Sequence, residues 1–208
     1  MGLFTKVTCA ICGKETRFSK TKLADGNYIC GNCLGETYYT HDSFQGIHAS
    51  TKLDYKKMTL DDIKSCYEIR KQNLEKLNDF KCSKPFGKNI LVDERTKQLV
   101  FFDYFSYTRK GKMLQKNPPI FKLKDIISMR LEFSETTASQ TVSGKAKAES
   151  TAYLIFEFDD PVFDVIKVEI GKIETKSGFF GDKIKGSKEI EEIVDTLNAM
   201  RNAAIAEA

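Results

Sequence analysis

Cys9-Ala10-Ile11-Cys12-Gly13 and Cys30-Gly31-Asn32-Cys33 are two Cys-x-x-Cys pairs with seventeen residues between Cys12 and Cys30. A Cys-x-x-Cys turn lets two thiolates point at one ion while local N–H groups hydrogen-bond the sulfurs, and two such turns complete the tetrahedral shell that Zn²⁺ prefers. The spacing therefore predicts one zinc per chain, held by Cys9, Cys12, Cys30 and Cys33. A shell closed by four thiolates leaves no position for water or substrate, so the expected role of the metal is structural. Residues 5–35 are too few to bury a core by themselves, and the ion is expected to supply the missing folding free energy.

Two other uses of these cysteines are weaker. Disulfides need an oxidising compartment, and Met1-Gly2-Leu3-Phe4-Thr5-Lys6 has no apolar signal core, which points to a reducing cytoplasm. A redox Cys-x-x-Cys usually occurs singly, at a helix start in a βαβ setting that this stretch lacks. The Gly2 start has Lys6 where N-myristoylation wants Ser or Thr, and no apolar run approaches the roughly 20 residues of a membrane span. A soluble, cytoplasmic protein is expected.

Between the pairs, Ala24-Asp25-Gly26-Asn27 is a turn signal ahead of the short apolar Tyr28-Ile29, giving a knuckle, a hairpin-like excursion and a second knuckle. Here the sequence resembles a small, uncharacterised bacterial zinc-finger family with the pattern C-x-x-C-G, K-L-x-D-G, C-x-x-C. It is matched by Cys9, Cys12, Gly13, Lys22, Leu23, Asp25, Gly26, Cys30 and Cys33. The resemblance covers about the first thirty-five residues and implies zinc binding without an assigned activity.

The chain divides, on this reading, into a zinc module at 1–36, a linker with a helix at 37–84, and a β domain at 85–208. Residues 36–57, with Tyr38, Tyr39, His41, Phe44 and His48, show neither a helical nor a strand period and read as a polar connector. Thr59 offers an N-cap hydroxyl and Asp61 and Asp62 suit a first turn, predicting a helix over about 59–80. Leu60, Ile63, Tyr67, Leu74 and Leu77 form its apolar stripe, interrupted by Arg70, which would dock on the following domain or self-associate through a short coiled-coil seam. Cys66 reads as a small packed side chain and Cys82 as a plain thiol.

From Asn89 the period becomes two, with strand-like runs at 89–93, 98–107, 120–123, 127–133, 152–159 and 163–170. Leu154, Phe156 and Phe158 share one face, as do Ile166, Val168 and Ile170, so one side of the sheet covers a core. Gly186-Ser187 then opens a helix of about 187–203 carrying Ile190, Ile193, Val194, Leu197, Met200 and Ala204 on one stripe, with Ile193 and Leu197 expected to be buried. The predicted fold class is α+β: a four-cysteine knuckle module, a connecting helix, and an antiparallel β barrel capped by the C-terminal helix. In strand number and final helix this body resembles a bacterial pleckstrin-homology-like domain.

No nucleophile elbow, phosphate-binding glycine loop or isolated acid pair marks an active site, and Asp159-Asp160-Pro161 reads as a turn. A non-enzymatic interaction protein, with a protein partner, is expected. The alternative is a nucleic-acid-binding regulator using Lys6, Lys14, Arg17, Lys20 and Lys22 around the knuckles, with Phe18 and Tyr28 as stacking faces. The net charge of +4 is mild and does not by itself imply nucleic acid, Asp25, Glu15 and Glu36 dilute the charge around the knuckles, and a membrane surface is not expected. Within the body, Arg109, Lys110 and Lys112, with Lys116, Lys122 and Lys124, form a candidate anion site. The Ser, Thr, Ala and Lys run at 134–151 is expected to be a mobile loop. The glycine-punctuated 171–186 connection is expected to be loose, presenting Phe179 and Phe180 to a partner.

Overall fold

The structure, a computed structural model, describes residues 5–37, 47–87, 89–101, 118–140, 146–176 and 183–208. At the N-terminus β1 (Val7–Thr8) pairs with β2 (Glu15–Thr16), β3 (Lys20–Lys22) pairs with β4 (Tyr28–Cys30), and α1 (Gly31–Gly35) follows. Next come β5 (Ile47–Thr51) and the long α2 (Leu60–Asp79).

Helix α2 begins where its sequence says it should. The Thr59 hydroxyl accepts the Asp62 N–H while the Asp62 carboxylate accepts the Thr59 N–H, so two of the helix's unsatisfied donors are capped reciprocally. Its inner face differs from the predicted stripe. Ile63, Cys66 and Asn73 are buried, whereas Leu74 is 47% exposed. The helix is held at both ends, which fixes which side faces in: Ile63 packs among the knuckle residues and Ile69 against the body core. Arg70 does not interrupt this face; its guanidinium donates to the Glu36 carbonyl at 2.7 Å and pairs with the Glu36 carboxylate. The C-terminal end is tied to the body by the buried Asp93, whose carboxylate accepts the Lys81 N–H at 2.9 Å. Of the predicted stripe, Ile63 is buried and Leu60 and Tyr67 pack against the knuckle cluster, while Leu74 is exposed.

The body starts with an antiparallel meander of β6 (Lys84–Phe86), β7 (Ile90–Asp93), β8 (Gln98–Phe101) and β9 (Ile120–Lys122). A short 3-10 turn (Leu123–Asp125) leads to β10 (Ile126–Phe133), β11 (Thr137–Gln140), β12 (Ala146–Phe158), β13 (Phe163–Lys176) and β14 (Lys183–Lys185). In the second sheet the order is β10-β12-β13-β14, with β11 paired to β12 and β5 to β13, and the strands form a half-barrel. Between the two sheets lies a phenylalanine-rich core in which Phe121 stacks on Phe158 at 4.3 Å and Phe101 meets Phe156 edge-on at 5.2 Å. Helix α3 (Ser187–Ala206) closes this core with Ile190, Leu197 and Ala204 buried. Ile193, expected to be buried, is half-buried against the same cluster. The Arg201 guanidinium fastens the helix to the sheet by donating to the Ile126 and Ile127 carbonyls, each at 2.7 Å. Among the described residues no helix is long and apolar enough to cross a membrane.

The described parts of three connections hold strands that their composition does not signal. Residues 134–151 contain β11 and the start of β12, because hydroxyl and backbone groups close the ladder without an apolar period. The Thr151 N–H donates to the Ser134 hydroxyl at 2.8 Å, and the Ser134 N–H to the Thr151 carbonyl at 2.9 Å. Part of the 36–57 connector is β5, an edge strand whose backbone alone pairs with β13 and so needs no side-chain period. Within 171–186, β13 continues to Lys176 and β14 returns along it. Gly186 is there for space, not for looseness: at φ +92° a Cβ on it would overlap the Lys172 carbonyl oxygen, whereas one on Gly171 would only reach ordinary contact with Ile190. Gly186→Ala is therefore expected to destabilise the body by about 2–4 kcal/mol through left-handed strain and overpacking at the α3 N-cap, read as a fall of roughly 5–15 °C in melting temperature. An unchanged melting temperature would mean that α3 can enter by another path.

Candidate metal centre

Each knuckle is built by its backbone. After β1 the chain folds back so that the Cys9 N–H donates to the Lys14 carbonyl at 3.0 Å and the Gly13 N–H to the Cys9 carbonyl at 2.9 Å. Gly13 takes φ +70°, which a side chain would resist. The second pair straddles the β4–α1 junction, with Cys30 as the N-cap of α1 and Cys33 in its first turn. The Ala10 N–H donates to the Tyr28 carbonyl at 2.8 Å, locking the two knuckles together.

The result is that the sulfurs of Cys9, Cys12, Cys30 and Cys33 all lie within 4.8 Å of one another, with Cys12 and Cys30 at 3.9 Å. A tetrahedron with Zn–S bonds of about 2.3 Å has edges of about 3.8 Å, so the donor set fits the ion in both chemistry and size. Burial pushes the Cys9 thiol up, and the backbone N–H groups of Cys12, Cys30 and Ile11 outweigh it, holding Cys9 down at about 6. One of these contacts is the Cys30 N–H to Cys9 Sγ at 3.4 Å. Cys33 is pushed well up, first by burial and then by the sulfurs of Cys30, Cys12 and Cys9. Four thiolates this close repel one another, and a divalent cation among them removes the penalty. All six cysteines are free thiols, and Cys66 and Cys82 stand apart from the cluster, Cys66 buried and raised to about 11 by that burial.

The layer behind the sulfurs comes from α2 and the stretch before it, which sequence reading assigned to a separate connector. Cys9, Leu23, Ile29, Tyr55 and Ile63 form one apolar cluster, with Leu34, Met58, Leu60 and Tyr67 packed against it. The Tyr67 hydroxyl donates to the Cys33 carbonyl at 2.6 Å, and its pKa is driven up by burial and by Cys33. Asp25 works in two directions at once. One oxygen accepts the Asn27 N–H at 3.1 Å, shaping the hairpin turn, and the other accepts the Leu60 N–H at 2.7 Å at the α2 N-terminus. The Leu60 N–H, followed by the Asn27 side chain, holds the Asp25 carboxyl below its usual value, as expected for a carboxylate at the positive end of a helix. The Asp25-Gly26 pair was visible in the sequence as a turn; its partner thirty-five residues on was not.

Residues 8–66 match the family described as a domain of unknown function, DUF4428. The match covers less than a third of the chain, yet it runs past both knuckles to Leu60, Ile63 and Cys66, the part of α2 that Asp25 and the cysteine cluster grip. The DUF4428-like segment and the four-cysteine cluster together fit an uncharacterised zinc-binding family. No curated protein and no solved structure matches the chain.

The other candidate site residues, Arg109, Lys110, Lys112, Phe179 and Phe180, lie outside the described residues, as do Lys116, Tyr38, Tyr39, His41 and Phe44. Lys122 and Lys124, grouped with the basic set, line an open depression of about 290 Å³ with Thr96, Lys97, Ala204 and Glu207. Lys97 pairs with Glu207 there at 3.5 Å, which offsets part of the positive charge.

Proposed function

We propose that this chain is a non-enzymatic interaction protein in which a structural Zn²⁺, one per chain, is held by Cys9, Cys12, Cys30 and Cys33. The supporting observation is the closed set of four sulfurs, which has the donor chemistry and spacing of a structural site and uses every tetrahedral position for protein. The body is read as a pleckstrin-homology-like domain that presents surfaces to a protein partner. Support comes from its order of four meandering strands, a second antiparallel sheet and a closing C-terminal helix. Thiolate ligation requires reduced cysteines, in keeping with a cytoplasmic setting. Elemental analysis of the purified protein is expected to give one zinc per chain. Absence of stoichiometric metal after reducing, chelator-free preparation would overturn this reading.

A further inference from the structure

We infer that the outer face of the zinc module, around Arg17, Phe18, Lys20 and Lys22, binds single-stranded nucleic acid. This rests on the module being folded around its cysteine cluster, and goes beyond it by naming a partner. The first observation is where the charge lies. Lys6, Lys14, Arg17, Lys20 and Lys22 against Glu15 give residues 5–22 a net +4, equal to the formal charge of the whole chain, so residues 23–208 sum to zero. Asp25 and Glu36 bring the whole module, residues 1–36, to +2, and a Zn²⁺ with four thiolates, formally −2, brings it to zero. The positive charge is therefore local to residues 5–22: Asp25 is held on the Leu60 N–H and Glu36 is paired with Arg70.

Glu15 is occupied by Lys6 at 2.8 Å, and Lys14, Arg17 and Lys22 have no ion pair among the described residues. Lys20 and Lys22 share one side of β3, two residues apart; the Lys20 ammonium donates to the Thr5 carbonyl, while Lys22 is exposed opposite Tyr28 on β4. Such a spacing follows a phosphate backbone and supplies the salt-dependent part of binding.

The second observation is Phe18, 66% exposed at the tip of the turn between β2 and β3. This turn is held in place. Ser19 has φ +52°, its carbonyl accepts the Gly31 N–H, and the Thr16 hydroxyl donates to the Phe18 carbonyl. A Cβ on Gly31 would come within 3.0 Å of the Ser19 Cβ, so the approach of the turn to α1 is close. A pinned backbone that leaves a phenyl ring 66% exposed, next to Arg17 in the sequence, is a stacking platform for an unpaired base. An anionic bilayer fits less well, since Phe18 is the one exposed large hydrophobic residue among the described residues of the module, and one ring inserts little apolar area.

The test is fluorescence anisotropy of full-length, zinc-loaded protein with a labelled oligothymidylate and an oligouridylate, with duplex DNA and phosphatidylserine vesicles as comparators. Three to four phosphate contacts are expected to weaken binding by roughly 20- to 50-fold between about 50 and 200 mM salt. Phe18→Ala is expected to cost about tenfold while Phe18→Trp retains binding. Lys22→Ala or Arg17→Ala is expected to reduce the logarithmic salt slope by about 0.7 each. No binding, binding indifferent to Phe18→Ala, or preference for vesicles or duplex would each overturn the inference. Metal content is measured on the same samples. Full zinc without oligonucleotide binding rejects this inference alone, and missing zinc rejects the metal assignment whatever the oligonucleotide does.

Discussion

Leu197→Asp is expected to abolish cooperative folding of the body. Leu197 is 0% exposed, in the middle of the α3 face that covers the phenylalanine core, and Ile190 and Ala204 are buried on either side of it. A carboxylate placed there has no donor, and burying it costs several kcal/mol, comparable with the roughly 5–15 kcal/mol that holds an ordinary domain together. The milder Leu197→Ala leaves a cavity instead of a charge and is expected to cost about 2–5 kcal/mol, giving a graded control that still folds. Near-ultraviolet circular dichroism and thermal melting read both. A Leu197→Asp protein with native melting behaviour would show that α3 is dispensable to the body.

Cys30→Ser is expected to empty the metal centre and unfold residues 5–37. Structural zinc in small modules is worth about 10–16 kcal/mol of apparent binding free energy at neutral pH, far more than the apolar cluster around Cys9 and Ile29 can supply. Cys30 is central to the site: its sulfur is 3.9 Å from that of Cys12, its N–H donates to Cys9 Sγ, and it stands at the β4–α1 junction in the N-cap position. Hydrogen exchange should therefore lose protection across both knuckles and, through Asp25 and Leu60, in the first turn of α2, while the β12–β13 hairpin keeps it. Zinc bound at full stoichiometry by the serine variant would refute the four-cysteine assignment.

The knuckles were legible because metal chemistry restricts both residue type and spacing, and Cys9, Cys12, Cys30 and Cys33 meet that restriction whatever surrounds them. Helix α2 was legible at Thr59, where capping is local, but not at Leu74, because the side facing inward depends on which bodies lie at the two ends of the helix. The alternating strands of the body were legible where one face is apolar, as in Leu154, Phe156 and Phe158. The β11 ladder and β5 were not, since backbone hydrogen bonds leave no mark on side-chain pattern. Gly186 was read as freedom when its reason is the Lys172 carbonyl beside it, a neighbour that only the fold brings near.

Strand β5 changes how the chain can be divided. It enters the half-barrel from the N-terminal side of α2, pairing Ile47–Thr51 with Val168–Phe163, and the Lys52 Nζ anchors it on the Asp160 carbonyl 108 residues away. A fragment beginning at residue 85 would leave that stretch of β13 with open N–H and C=O groups, inviting a second copy or an unrelated strand to take the place of β5. The two halves are thus stitched in reverse order of synthesis: the zinc module is made first, yet the strand that follows it must wait for β13 before it has anywhere to go.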